Sequence, residues 1–205
     1  MNKFIKIKFA VILMTLCSVS FLQAEIRPLV SGDDYEVMGS KGSKNREVME
    51  FFSYACAACY SMESFVTLFK KNNSEIKVIP VPTDLGHPQW QIYVKAYYLG
   101  EMLNVLDKSH SKIFHKIHVE KRQITKDSDL KALFVGLGVD ADKYDKAEKS
   151  FTLDAKIRKA KQLTKKFRIS VTPTFVANQR YKLNNQNLKS TEMIEKALQD
   201  LTVIN

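Results

Sequence analysis

One short stretch with two closely spaced cysteines most constrains what this chain can fold into. It reads Glu50-Phe-Phe-Ser-Tyr-Ala-Cys56-Ala-Ala-Cys59-Tyr60. Residues 48–52 are apolar except for Glu50 and are rich in strand-forming types, which predicts a buried strand. From Cys59 onward a helical spacing of apolar residues begins, carried by Met62, Phe65, Val66 and Phe69. The two cysteines therefore lie where a strand runs into the first turn of a helix.

A Cys-x-x-Cys pair at the start of a helix has a specific chemistry. Residues three apart on a helix face the same way, with Cα atoms about 5 Å apart, which a disulfide can span. The first turn also has unpaired amide donors and the positive end of the helix dipole, and both stabilise a thiolate. We therefore expect Cys56 to be the attacking thiol with a lowered pKa, and the more buried Cys59 to be the resolving thiol.

Two other uses of the cysteine pair are less compatible with the sequence. A zinc site needs two more ligands at suitable spacing, and the only other cysteine, Cys17, lies in a segment that we expect to be removed. A purely structural disulfide would close a very small loop, so it would remove little entropy from the unfolded chain. We therefore predict a redox pair and no metal site.

The N-terminus has the form of a secretory signal. Residues 1–8 are basic, residues 9–21 are apolar, and Ala24 offers a small residue at a cleavage point. The apolar run is too short to span a bilayer comfortably. A lipid anchor at Cys17 is disfavoured because Leu16 precedes it, whereas lipoprotein signals have a small residue at that position. A buried N-terminal helix remains the alternative.

Export and charge together narrow the class of protein. Removal of the signal would leave Cys56 and Cys59 alone, and an exported chain with one close pair is typical of a redox enzyme rather than a disulfide scaffold. The formal charge is +10 at pH 7. The lysines are spread over many helical faces without interleaved aromatic residues, which indicates a solvated surface and no nucleic-acid partner.

The remaining pattern predicts a sheet that is interrupted by helices. Strands are predicted at residues 31–38, 48–52, 75–81, 170–176 and 181–183, with a turn at 178–180. Pro80 and Pro82 should close the third strand and place it at an edge or at its end.

Residues 88–167 have helical spacing, and each predicted helix has its own apolar face. The faces are Ile92, Ala96, Leu99, Leu103 and Leu106; Ile113, Phe114 and Ile117; Leu130, Leu133, Phe134 and Leu137; Tyr144, Ala147 and Phe151; and Leu153, Ile157, Ala160 and Phe167. Asp127 or Ser128 should cap the third helix and Asp140 the fourth, and Ser190 or Thr191 should cap a last helix after the strands. The order implies a mixed sheet with a helical insertion.

The chain resembles the DsbA family of periplasmic thiol–disulfide oxidoreductases over essentially all of its mature length. The resemblance rests on Glu50-Phe-Phe-Ser before Cys56-x-x-Cys59-Tyr60, on residues 140–151 with the long helix that follows, and on Val171-Thr172-Pro173. It implies an α/β, thioredoxin-like fold with an inserted α-helical domain. The implied organisation is a signal peptide at 1–24, a thioredoxin-like domain at 25–86 and 168–205, and the helical domain at 87–167.

The resemblance also assigns roles to individual residues. Pro173 aligns with the family's cis-proline, which faces the disulfide, and the backbone of Thr172 with the segment that pairs with a substrate peptide. Glu50 aligns with a buried acid that exchanges a proton with the resolving cysteine, and burial should raise its pKa. Tyr54 and Phe175 would line an apolar surface where unfolded substrates dock, or else pack in the core.

Three departures from the family pattern affect the expected chemistry. Ala57 and Ala58 stand where the family commonly has proline and histidine, so we expect a less depressed pKa for Cys56 and a milder oxidant. Pro80 stands where members often place a lysine, so Glu50 should lack that partner. Thr172 before the proline is also found in disulfide isomerases, which leaves isomerase activity open.

The resulting prediction is a thiol–disulfide interchange protein of a Gram-negative periplasm. It would donate the Cys56–Cys59 disulfide to folding exported proteins that contain cysteines, act as a monomer without a cofactor, and be reoxidised by a DsbB-like membrane partner. The alternatives are a disulfide isomerase or reductase and a non-enzymatic peptide-binding holdase. His110, His115 and His118 form a small group for which surface or capping roles are expected rather than a metal site.

Overall fold

The computed structural model describes residues 27–204. The predicted signal peptide of residues 1–24, with Cys17, lies outside the described residues. Within residues 27–204 one sheet contains five strands. They are β1 (Tyr35–Val37), β2 (Glu47–Phe52), β3 (Lys77–Pro82), β4 (Thr174–Ala177) and β5 (Tyr181–Leu183). The strand predicted before the cysteine pair is confirmed.

Helices account for most of the rest of this part of the chain. They are α1 (Ala57–Asn72), a 3₁₀-helix (Pro88–Trp90), α2 (Gln91–Met102), α3 (Leu106–His118), α4 (Asp127–Gly136), α5 (Ala141–Glu148), α6 (Phe151–Lys166) and α7 (Thr191–Leu201). The run from α2 to α6 lies between β3 and β4, as the helical spacing predicts. The domain boundaries given above remain predictions.

The sheet is mixed, and β2 is buried within it. The strand order is β1-β5-β4-β2-β3, and only the β2–β3 pair is parallel among the described strands. All six residues of β2 are buried. A strand that pairs on both sides and is covered on both faces has a fixed position and register. The end of β2 is therefore a rigid point from which the chain enters the cysteine turn.

The two prolines of β3 lie at the edge of the sheet. The amides of Lys77 and Thr83 donate to carbonyls of Arg46 and Phe52, at 3.0 and 2.8 Å, so odd-numbered residues of β3 point their amides toward β2. Prolines 80 and 82 occupy the outward positions, where a missing N–H costs the sheet no hydrogen bond and denies one to a further strand. The edge position is confirmed. The prediction that these prolines close the strand is confirmed for Pro82, the last residue of β3, and wrong for Pro80, through which the strand continues.

The single apolar face predicted from Ile92 to Leu106 is wrong. Helix α2 ends at Met102, and α3 starts at Leu106. Asn104 lies between them with φ of 56°, in the left-handed region that asparagine tolerates better than most residues. The chain reverses there, so α3 packs back against α2.

The helix caps follow the sequence in part. Asp140 accepts a hydrogen bond from the amide of Lys143, and Ser190 caps α7 as predicted. The cap predicted at Asp127 or Ser128 is wrong, because Asp127 is already the first residue of α4. The residue at that N-cap, Lys126, makes no side-chain cap.

Two predicted apolar positions are exposed instead. Phe151 is 77% exposed and begins α6, since Ser150 caps that helix by accepting from the amide of Leu153 at 3.2 Å. β4 begins only at Thr174, so Val171 lies in the preceding loop and is 57% exposed. A β-branched residue in an apolar run does not itself distinguish a strand from a loop that ends at a proline.

Buried side chains form three clusters, and one of them joins the cysteine turn to the inserted helices. This cluster contains Tyr54 from the turn and Cys59 from the first turn of α1, together with side chains of α2 to α6. A second cluster lies between the sheet and α7, and a third between the sheet and α6. None of the helices between residues 27 and 204 combines the length and apolar character needed to cross a membrane.

The close approach of α2 and α3 depends on Gly100. A Cβ atom there would lie 2.5 Å from Ser109 Oγ and 3.4 Å from the Cα atom of Leu106. We therefore expect Gly100→Ala to lower the free energy of unfolding by about 1–3 kcal/mol, as overpacking does. The matched control is Gly136→Ala at the exposed end of α4, where a Cβ atom meets nothing within 4 Å. It should stabilise the protein by up to about 1 kcal/mol, and urea unfolding measures both changes.

Candidate active site

Cys56 occupies the N-cap of α1. Its amide donates to the carbonyl of Ser53 at 3.0 Å, and its Sγ accepts a hydrogen bond from the amide of Cys59 at 3.2 Å. The capping sulfur thus uses one of the amides that the first turn of a helix leaves unpaired. Cys56 is partly exposed, whereas Cys59 is 1% exposed, and both are free thiols. A reagent in solution can reach only the first cysteine.

A loop from the other half of the sequence meets Cys56. The thiol of Cys56 donates to the carbonyl of Thr172 at 3.2 Å, and the Thr172–Pro173 peptide bond is cis. Asn185 donates to the carbonyl of Pro173 at 3.0 Å, and the hydroxyl of Thr174 to the carbonyl of Val171 at 2.8 Å. The bonds made by Asn185 and Thr174 do not depend on the protonation of Cys56, and they fix the loop beside the N-terminus of α1. The structure therefore brings together four of the five predicted site residues.

The two thiols have opposite acidities. The pKa of Cys56 is lowered to about 5, because the Cys59 thiol donates to its thiolate, with further help from the Thr172 hydroxyl and the amides of Cys59 and Ala58. The pKa of Cys59 is raised, chiefly because its thiol is held by Cys56 and also because it is buried. Near neutral pH the pair therefore carries a single thiolate, which is on the accessible sulfur.

Glu50, the fifth predicted residue, lies inside β2. Its neighbours in the sheet are Pro80 of β3 and Phe175 of β4, and the residue is 4% exposed. Burial raises the pKa of Glu50 to about 7, with Glu63 raising it further and Lys70 opposing the rise. The register of β2 and β3 places Pro80 opposite Glu50, at the position where a lysine is not expected in this chain. The carboxyl group can therefore both release and take up a proton near neutral pH.

Tyr54 and Phe175 do not line a surface. They are 0% and 2% exposed, so core packing is confirmed for both and the alternative docking role is wrong. A large apolar side chain that is exposed beside the site is that of Val171. Alternation along a strand separates buried from exposed residues only where one face of the sheet is open to solvent. Both faces of this sheet are covered, so the sequence pattern could not show that Phe175 is buried.

His110 and His118 are part of the site's surroundings, which their predicted surface or capping roles did not include. Each contacts Tyr54, two residues before Cys56, whereas His115 is exposed and pairs with Glu120. Helical spacing does not separate them from His115, which lies only three residues before His118, so the fold alone distinguishes the three histidines. Within residues 27–204, no group of three or more histidine, cysteine or acidic side chains is arranged to hold a metal ion.

The sequence and the fold match one family throughout. The sequence profile of the DSBA-like thioredoxin domain matches residues 47–199. A thiol:disulfide interchange protein DsbA of Pseudomonas syringae pv. tomato is 28% identical over 198 residues, covering 94% of this chain and 90% of the relative. The corresponding protein of Pseudomonas aeruginosa is 24% identical over 177 residues, covering 84% and 83%. The family resemblance is thereby confirmed.

Solved structures confirm the thioredoxin-like fold with its helical insertion. The crystal structure of a variant of Pseudomonas aeruginosa DsbA superposes with a TM-score of 0.80 at 22% identity, covering 86% of this chain and 97% of the other. Proteus mirabilis DsbA, in complex with a non-covalently bound peptide PWATCDS, superposes with a TM-score of 0.76 at 21% identity, covering 87% and 100%.

The thiolate of Cys56 should titrate far below an ordinary cysteine. We expect the rate of Cys56 alkylation in the reduced protein to rise through a midpoint near pH 5. Cys59→Ala removes the largest stabilising donor and should move that midpoint upward by about one to two units. Cys59→Ser retains a hydroxyl donor and should move it less. Equal midpoints in all three proteins would contradict the assigned cause.

The pKa of Glu50 should make stability depend on pH. Its pKa rises from 4.5 to about 7 on folding, so the folded protein binds this proton more tightly than the unfolded chain does. The free energy of unfolding therefore falls as the pH rises from about 4.5 to about 7 and stays lowered above that range. Relative to its effect at pH 4, Glu50→Gln should stabilise the oxidised protein at pH 8 by about 3 kcal/mol.

Urea unfolding of the oxidised form at both pH values measures this difference without a contribution from the thiolate. Glu75→Gln, an exposed carboxyl group beside Arg46, is the matched control. If the free energies of unfolding of wild type and Glu50→Gln differ by the same amount at both pH values, burial does not raise the pKa of Glu50.

Proposed function

The chain belongs to the DsbA-like thioredoxin family of thiol–disulfide oxidoreductases, and we propose that it donates its Cys56–Cys59 disulfide to exported proteins during oxidative folding. The observation that carries this proposal is the asymmetry of the pair. The accessible sulfur is the one whose thiolate is stabilised, while its partner is buried and holds its proton. A stabilised thiolate favours the reduced enzyme, and an enzyme that prefers to be reduced gives its disulfide away.

The transfer takes two exchange steps. A substrate thiolate attacks Sγ of Cys56, the Cys56–Cys59 bond breaks, and its electron pair leaves with Cys59 as a mixed disulfide forms. A second substrate thiolate then attacks the substrate sulfur of that mixed disulfide, and Cys56 leaves as a thiolate. The substrate ends as a disulfide and the enzyme as a dithiol. The low pKa of Cys56 speeds the second step, because a more acidic thiol is the better leaving group.

We assign the proton of the first step to Glu50. Cys59 leaves as a buried thiolate, and burial favours its protonated form, so it must take up a proton. A carboxyl group with a pKa of about 7 holds a proton in a large fraction of molecules at neutral pH and can recover it afterwards. Its burial in β2 supports this role.

The loop at Thr172 and Pro173 is the proposed docking site for the substrate backbone. The carbonyl of Thr172 already faces Cys56, and its amide has no hydrogen-bond partner within residues 27–204. An unpaired amide beside the reactive sulfur can bind an extended peptide as a sheet edge does. The exposed side chain of Val171 offers an apolar contact next to it.

The cellular setting is proposed on the same basis. We propose that the mature protein acts as a monomer in the periplasm of a Gram-negative bacterium, on cysteine-containing proteins as they fold; the signal-like N-terminus and the family support this setting. The reduced enzyme needs an electron acceptor, and we propose a DsbB-like membrane protein. The reaction uses the enzyme's own disulfide, so no further cofactor is proposed.

The reduction potential tests the direction of transfer. We expect purified mature protein equilibrated with glutathione buffers to be at least as oxidising as glutathione, where each tenfold change in the equilibrium constant is 29.6 mV. A strongly reducing, thioredoxin-like value would contradict disulfide donation and favour a reductase or isomerase. Glutathione disulfide should also convert Cys59→Ser, but not Cys56→Ser, into a stable mixed disulfide.

A client assay separates the enzyme from a holdase. Cys56→Ala should lose all oxidation of a reduced, unfolded protein that has two cysteines. Undiminished protection of the same client from aggregation by Cys56→Ala, together with no oxidation by the wild type, would support a holdase instead.

A further inference from the structure

Two histidines of α3 reach across to the turn that precedes Cys56. Nδ1 of His110 lies 2.7 Å from the hydroxyl oxygen of Tyr54, and Nε2 of His118 lies 2.8 Å from the carbonyl oxygen of the same residue. Tyr54 lies between the end of β2 and the N-cap at Cys56. An inserted helix is therefore bonded to both ends of one residue in the active-site turn.

The buried hydroxyl of Tyr54 requires a partner. The ring is 0% exposed and packs edge-on against Phe52 and Phe114 at centroid distances of 5.3 and 4.8 Å. Burial raises the pKa of Tyr54, so the hydroxyl stays protonated, and we assign its O–H as the hydrogen-bond donor to Nδ1 of His110. A hydroxyl without a partner in such surroundings costs about 1–3 kcal/mol. The Tyr54–His110 contact therefore fixes this side chain by a hydrogen bond as well as by packing.

The second nitrogen of His110 extends the contact to α1. Nε2 lies 3.0 Å from Oε2 of Glu63, seven residues after Cys56, and both side chains are about three-quarters buried. With Nδ1 accepting from Tyr54, Nε2–H donates to this carboxylate, so the Tyr54 hydroxyl and both nitrogens of His110 have partners. The imidazole of His110 thus joins the turn before Cys56 to the helix after it.

His118 clasps the same turn from the other side. Its Nε2–H donates to the carbonyl of Tyr54, and its ring stacks on Tyr60 at 5.1 Å with an interplanar angle of 10°. Tyr60 directly follows Cys59. The two histidines together hold the residues on both sides of the cysteine pair.

We infer that His110 and His118 are positioning residues that hold the turn from Ser53 to Cys56 in the geometry that presents Cys56 Sγ to the amide of Cys59, and that they thereby favour the reduced enzyme. In the disulfide form a covalent bond fixes this sulfur, whereas in the dithiol form only non-covalent contacts do. Loss of the clasp should therefore destabilise the reduced form more than the oxidised form. The inference rests on the proposed disulfide exchange at Cys56.

Four variants test the clasp through the equilibrium constant with glutathione. Tyr54→Phe removes one hydroxyl and retains the ring, and His110→Ala and His118→Ala remove the partners. Each should make the enzyme about threefold to tenfold less oxidising, which corresponds to one lost or weakened hydrogen bond. His110→Gln retains an acceptor and a donor and should recover most of the loss. His115→Ala, on the exposed face of the same helix, is the matched control and should leave the constant unchanged.

Urea unfolding of both redox forms separates positioning from a general structural role. Positioning predicts a larger loss of stability in the reduced form and an upward shift of the alkylation midpoint of Cys56. Equal losses in the two forms with an unchanged glutathione constant would overturn the inference, as would a His110→Gln variant no better than His110→Ala. If an alanine variant does not fold, Tyr54→Phe and His110→Gln decide.

The test of positioning depends on the ratio of the variant's equilibrium constant with glutathione to that of the wild type. The test of disulfide donation depends on the wild-type constant alone. A reducing wild type would refute donation and leave the positioning result readable. An oxidising wild type with variants equal to it would refute positioning alone.

Discussion

The hydrogen bond from the amide of Cys59 to Sγ of Cys56 is the interaction on which the rest of this site depends. It forms because β2 ends, turns over three residues and starts α1 with a cysteine at the N-cap. The rigidity of β2, paired on both sides and wholly buried, fixes where that helix can begin. The amides of the first helical turn then point at Sγ of Cys56, and the positive end of the helix dipole favours its thiolate.

The inserted helices make the cysteine pair unequal. Cys59 belongs to the apolar cluster that α2 to α6 complete, whereas Cys56 lies at the boundary with solvent. Burial opposes a charge on Cys59, and the thiol that Cys59 then retains donates to the neighbouring thiolate. Each sulfur thus reinforces the state of the other, which is the property that a disulfide donor needs. The insertion therefore contributes to the chemistry as well as to the shape of the molecule.

The sequence predicted the elements whose signal is local and left out those that depend on pairing across the chain. The strand into Cys56, the helix after it and the caps at Asp140 and Ser190 each depend on a few adjacent residues. The extent of β3 through its prolines depends on which side of the strand faces β2, and that is a property of the sheet. The contact of His118 with Tyr54 likewise joins segments 64 residues apart. Neither the spacing of apolar residues nor a helix-cap residue predicts a contact between segments so far apart in the sequence.

The two departures from the family pattern near the site act on different groups. Alanines at 57 and 58 supply no positive charge beside the thiolate. Both are exposed, so water there screens the charge of the thiolate. Proline at 80 supplies no cation to Glu50, and burial therefore keeps that carboxyl group largely protonated up to about pH 7. A neutral carboxyl group places less negative charge on the strand that leads to the cysteines. The thiolate at Cys56 thus relies on Cys59, Thr172 and the helix amides, all of which are fixed by the fold.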